Sequence, residues 1–135
     1  MKHLNKQAKA VMDKLTEGLN GTARKIDNNK SFMAVHVEEI ATIEHSPNGP
    51  VFSVAHYYKQ NGDLMSDPDM TFLKGITGEW FPLSFQQDGG FPIYQEVIAE
   101  TFDDGRIKSY RPKLSADLTS FANTWMRNIK KQQGL

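Results

Sequence analysis

The sequence predicts an α+β fold: an antiparallel β-sheet of about six strands in meander order, flanked by an N-terminal and a C-terminal helix packed on the sheet. Three observations predict it. Apolar residues recur at three- and four-residue spacing near both termini, as one buried helix face requires. Between them the period falls to two, the signature of strands with one face turned inward. The links between those runs, Asn61-Gly62 and Asp104-Gly105 among them, have hairpin length, whereas parallel neighbours need a crossover of about a dozen residues.

The first helix is expected over residues 3–19, where Leu4, Ala8, Val11, Met12, Leu15 and Leu19 line one face. Gly18, Asn20 and Gly21 supply its stop, since both residue types accept the left-handed backbone that closes a helix. Residues 20–31 read as loop. Strands are expected within residues 32–110. Met33, Val35 and Val37 alternate with Ala34 and His36, and the run continues through Ile40 and Ile43 to the turn Ser46-Pro47-Asn48-Gly49-Pro50. Val51–Tyr58 is rich in the β-branched and aromatic residues that strands favour. After Asn61-Gly62, Pro68 delays the return, because proline cannot donate to a ladder, and the ordered strand is expected from Met70 to Leu73. Trp80–Phe85 alternates, with Phe81, Leu83 and Phe85 on one face and Trp80, Pro82 and Ser84 on the other; its proline marks an edge or a bulge. Ile93–Phe102 and Arg106–Tyr110 form the last hairpin. A closing helix over 115–132 carries Leu118, Phe121, Ala122, Trp125 and Ile129 as its stripe, with Ser115 as N-cap and Lys130 and Lys131 at the negative end of its dipole.

A length of 135 residues suits a single domain, and a 39% hydrophobic, 24% charged composition fits a folded chain rather than a disordered one. The absence of cysteine removes disulfides and thiolate chemistry and fits a cytoplasmic setting. The basic N-terminus lacks the apolar run of a signal peptide, and no apolar stretch is long enough to span a bilayer, so no membrane association is expected. The zero net charge conceals a split. Residues 1–30 carry seven Lys/Arg against three acids, residues 106–135 seven against Asp117 alone, and residues 31–105 two against twelve.

The densest polar segment, Ala55–Met70, holds His56, Tyr57, Tyr58, Asn61, Asp63, Asp67 and Asp69; Trp80, Asp88 and Tyr94 complete the candidate set. Imidazole with carboxylates suits a divalent metal or acid–base chemistry, which makes His56, Asp67 and Asp69 the metal candidates. Their spacing matches no metal motif, the calcium loop with its alternate acids and terminal glutamate included. Turn chemistry accounts for the same residues. His56 shares a strand face with Phe52, Val54 and Tyr58, Asp63 braces the Asn61-Gly62 turn, and Asp67 and Asp69 bond amides around Pro68. The patterns G-x-x-x-x-G-K-S/T, G-x-S-x-G and H-E-x-x-H are absent, and no metal or cofactor is expected. The aromatics Tyr57, Tyr58, Trp80, Phe81, Phe85, Phe91 and Tyr94 would suit a base-stacking platform, but such platforms add basic residues, and this region is acidic.

The run AHYYKQNGDLMSDPDMTF, Ala55–Phe72, resembles a signature of an uncharacterised bacterial domain family found in proteins of plasmids, conjugative elements and phages. Gly78–Leu83, Gln87-Asp88 and Tyr94–Val97 are similar to its later part, so the resemblance covers roughly residues 32–130. It implies a mobile-element setting and assigns no activity. The leading expectation is a small non-enzymatic binding or accessory protein with a protein partner, working through the sheet and the His56–Met70 segment. Two alternatives stand beside it. A metal-dependent or acid–base enzyme would need His56, Asp63, Asp67 and Asp69 to converge in one cleft, and a nucleic-acid binder would use the basic terminal helices. Oligomeric state is left open, with the strand edge near Pro82 available for pairing with a second chain.

Overall fold

Asn5 opens the first helix by accepting the Ala8 N–H on its side chain at 2.9 Å, and α1 runs Lys6–Thr16 in the computed structural model, which describes all 135 residues. The helix is shorter than its apolar spacing predicts because tertiary partners take over its ends. The Leu4 N–H donates to the Trp80 carbonyl at 2.9 Å. At the other end the Arg24 guanidinium donates to the carbonyls of Leu15 and Glu17. Arg24 belongs to β1 (Ala23–Ile26), inside the stretch that reads as loop. Four residues without alternation give no periodic signal; antiparallel pairing with β2 (Val35–Ile43) makes the strand.

The main sheet continues with β3 (Gly49–Gln60), β4 (Asp63–Lys74), β5 (Trp80–Gln87) and β6 (Ile93–Glu96), all antiparallel and in chain order. A small second sheet holds β7 (Ile98–Thr101) and β8 (Ile107–Tyr110), and α2 (Pro112–Gln133) closes the chain. The α+β architecture stands, with corrections in detail. The run that reads as strand from Phe32 is ordered as β2 only from Val35, and Met33 stays outside it, 40% exposed. Pro68 does not delay β4. Asp67 and Pro68 together face His56 alone, between the pairs Ala55–Asp69 and Tyr57–Ser66, so the proline occupies a bulge where no ladder N–H is needed. Pro82 marks a second bulge rather than an edge: β5 is interior, and the free edges of the sheet are β1 and β6.

That second bulge reverses an expected face. Thr71 pairs with Ser84 and Phe72 with Pro82, which leaves Leu83 as the extra residue. Alternation slips by one, so Phe85 joins Trp80 in the core while Ser84 turns to the other side with Thr71. The expected Ile93–Phe102 strand also divides. Val97 is fully buried, donates its N–H to the Leu83 carbonyl and accepts the Arg111 N–H, both at 2.8 Å, and so turns the chain from β6 into β7. Ser115 is not the N-cap of α2. Pro112 starts the helix behind Arg111, and the buried Ser115 hydroxyl accepts the Lys2 N–H at 2.9 Å.

Both helices lie on one face of the sheet. Val35, Val37, Phe52, Val54, Met70, Phe72, Trp80 and Phe85 meet Ala8, Val11, Met12 and Leu15 of α1 and Leu118, Ala122, Trp125, Met126 and Ile129 of α2. Each fully buried large side chain of this set contributes about 2 kcal/mol through removal from water. The indole N–H of Trp80, itself fully buried, donates to Asp13 Oδ1 at 2.9 Å and ties α1 to β5. The opposite face carries only a small cluster at one end, Val51, Leu73 and Leu83, against which Ile43, Phe81 and Ile98 pack. No helix of the structure is long and apolar enough to cross a membrane.

Candidate functional site

Successive residues of a strand point to opposite faces, so burying one apolar set commits the other to the side away from the helices. Two adjacent cross-strand rows run over that second side through all six strands of the main sheet. One is Lys25, His36, Ala55, Asp69, Gln86 and Tyr94. The next is Ala23, Glu38, Ser53, Thr71, Ser84 and Glu96. Tyr94 apart, neither holds an apolar side chain larger than alanine. The corresponding row on the helix side reads Arg24, Val37, Val54, Met70, Phe85 and Gln95, apolar at its four central positions.

Asp69 sits at the middle of this open face. Its Oδ1 accepts the Ser53 hydroxyl at 2.7 Å across the β3–β4 ladder, with the Tyr57 hydroxyl drawn to the same carboxylate. Burial raises the Asp69 carboxyl above the ordinary 3.8; those two hydroxyls oppose the shift, and the negative charges of Asp88 and Glu38 add to it. Burial likewise raises the Tyr57 phenol, with Asp69 adding to the shift. The His36 ring lies 5.1 Å from the Tyr57 ring, centre to centre, and burial followed by the Lys25 charge keeps its proton affinity low. Next to this group, the Thr71 and Ser84 hydroxyls bond one another. Tyr94 donates its hydroxyl to Glu96 Oε1 at 2.6 Å, which raises the phenol.

A groove of about 490 Å³ opens beside the Thr71–Ser84 pair. Its walls are Ile40, Leu83 and Ile98, and Tyr94, Glu96 and Glu100 stand along it. Arg111 braces the corner between β6 and β7 by donating to the carbonyls of Glu96 and Ile98 at 3.0 and 3.3 Å, which sets the position of that wall. A second hollow of about 270 Å³ lies over His36, Glu38, Ser53 and Tyr57.

Of the residues singled out in the sequence, Tyr57, Asp69 and Tyr94 meet on this face. Asp88 lies near enough for its charge to act on Asp69, and the rest do not join them. His56 is on the helix side, 6% exposed, its ring edge-on to Trp125 with centroids 5.5 Å apart; Nε2 makes no hydrogen bond, and burial lowers its pKa below 6.5. Tyr58 reaches the β5–β6 loop, where its hydroxyl stands against Gly89. Asn61, with φ of 51°, and Asp63 form the exposed hairpin tip. Asp67 accepts from Gln87 Nε2 at 3.3 Å, and Trp80 is core. Asp88 accepts the Ser66 N–H at 2.9 Å and the Gln86 amide at 3.3 Å, and the backbone bond lowers its carboxyl. The four side chains needed for an acid–base or metal enzyme therefore fail to converge, and no three His, Asp or Glu groups are arranged to hold a metal ion.

Reading the sequence segment by segment missed His36, Glu38, Ser53, Thr71, Ser84, Glu96 and Glu100. The signal for the β2 and β3 members was present, since His36 and Glu38 alternate with buried valines and Ser53 stands between Phe52 and Val54. Their assembly into rows depends on register, which the sequence does not display.

Residues 5–135 match a family model described as "Domain of unknown function (DUF6908)", and the chain belongs to that family. No curated protein and no solved structure matches it.

Proposed function

We propose that this member of the DUF6908 family is a non-enzymatic binding module whose working surface is the open face of the six-stranded sheet, with another protein as its partner. One observation carries the reading: two polar rows cross every strand on a face that neither helix covers, with a half-buried carboxylate at their centre. A carboxylate kept partly out of water weakens a fold unless its partners compensate fully, and such groups concentrate where proteins act on something else. The surrounding hydroxyls offer donors and acceptors in a fixed array, as a rigid sheet does well. The resemblance of Ala55–Phe72 to mobile-element proteins supports a bacterial mobile element as the setting, and the cysteine-free composition supports the cytoplasm.

The test places a photo-crosslinking side chain at Glu38 on the open face and, separately, at Thr124 on the outer side of α2, both exposed. Irradiation of cells producing each variant is expected to yield a discrete protein adduct from position 38 and none from position 124. Adducts from position 124 alone, or an unmodified chain from both, would remove the proposal.

A further inference from the structure

We infer that the occupant of the open face is a basic peptide segment, laid across the strands, one arginine or lysine of which enters the groove beside Thr71 and Ser84; this deepens the proposed function and rests on it. Charge is the first reason. Glu38, Asp69, Glu96 and Glu100 stand on this side of the molecule, and none takes part in an ion pair. The five ion pairs of the structure are His3–Glu79, Lys9–Asp13, Lys30–Asp27, Arg106–Asp104 and Lys113–Asp117. The basic members of the two rows, Lys25 and His36, lie together at the β1–β2 end.

The groove supplies the second reason. The groove is lined by apolar Ile40, Leu83 and Ile98, by the hydroxyls of Thr71 and Ser84, and by the carboxylates of Glu96 and Glu100. That combination fits a side chain with an aliphatic stem and a cationic head, the two parts of Lys and Arg. Tyr94 beside it offers a ring face to the same charge. Span is the third reason. Glu38 on β2 and Glu96 on β6 belong to one row, four strand spacings apart, or about 19 Å at ~4.8 Å per spacing. An extended segment of about six residues at ~3.3 Å each covers that distance, with Asp69 in the adjacent row between its ends.

The whole 135-residue chain is titrated with a peptide of about nine alternating Arg and Ala residues, long enough to span the face, and with counterparts in which Gln or Glu replaces Arg. Calorimetry gives the affinity, and backbone amide shifts give the location. The Arg peptide is expected to bind at low salt and to shift β2–β7 amides of the open face. Combined Glu96→Gln and Glu100→Gln, both at exposed positions, is expected to weaken it on the order of tenfold while the amides of α1, α2 and the strands away from β6 and β7 keep their free-state shifts. Equal affinity in that double variant, or no binding of the Arg peptide at low salt, overturns the inference. Shifts on the same face from the Gln or Glu peptide, stronger than those from Arg, remove the basic segment but keep the face as the binding surface. Shifts confined to α1 and α2 remove both.

Discussion

Asp69 and His56 sit one strand apart on opposite sides of the sheet, and each is a titratable group that burial holds toward its neutral form. Their consequences for stability have opposite signs with pH. The folded Asp69 carboxyl has a raised pKa, so the folded chain binds its proton more readily than the unfolded chain does. The resulting stabilisation is complete below the unfolded value of 3.8 and is lost as pH rises through the folded value. At neutral pH the charged carboxylate is a liability. Asp69→Asn, which keeps an acceptor for Ser53, is therefore expected to raise stability by about 1 kcal/mol, or about 4 °C in melting midpoint. That gain should shrink as pH falls toward 4. His56 works the other way. With its folded pKa depressed, its contribution is present above 6.5 and is lost as pH falls below that value, because the unfolded chain takes up a proton the folded one resists. His56→Phe, which keeps a ring against Trp125, is expected to flatten the loss of stability on the acid side of pH 6.5 in thermal melts. Asp67 partly opposes the depression and the His36 charge adds to it, and His36 itself titrates in the same direction. His36→Gln alone should therefore remove part of the same slope.

Among the elements, the end of α2 does more than close a helix. Gln133 is 2% exposed. Its Oε1 accepts the Asn28 N–H at 2.7 Å and the Asn29 N–H at 3.4 Å, and its Nε2 donates to the Met33 carbonyl at 3.2 Å. One side chain thus satisfies the backbone of the β1–β2 connection. Gln133→Ala is expected to cost about 2 kcal/mol by leaving those groups without partners. Hydrogen exchange should show amides 28–33 losing protection while β3 keeps its own. No periodicity announces this contact, which joins residues about a hundred positions apart. The same limit explains how much else was legible. Apolar spacing located both helices, and the turn dipeptides located the β3–β4 and β7–β8 hairpins. The bulge at Leu83 was not legible, because Trp80–Phe85 alternates without interruption in sequence while its partner strand forces a slip. That slip carries Ser84 onto the open face beside Thr71, so a feature of the site depends on register alone. Tyr57, Asp69 and Tyr94 were recoverable as residues with unusual neighbours; their meeting was not.

At the scale of the whole molecule, the two sides of the sheet differ in chemistry. The helix side holds nearly all the large buried apolar groups, while the open side concentrates hydroxyls, a half-buried carboxylate and glutamates outside any ion pair. The charge split of the sequence follows this division in part: the basic terminal segments form α1 and α2, and the acidic middle forms the sheet. Trp80 and Asp13 spend their polar groups on joining two elements. On the open face hydroxyls bond one another and the carboxylates, and no cation forms an ion pair with Glu38, Asp69, Glu96 or Glu100. The direct test is the crosslinking yield from position 38 in Asp69→Asn, compared with the yield when Asp69 is intact, both read below their melting midpoints. The binding face requires the adduct to fall severalfold in a variant whose fold is at least as stable. An undiminished adduct from the stabilised variant would contradict it, because the central carboxylate would then serve neither the fold nor the partner.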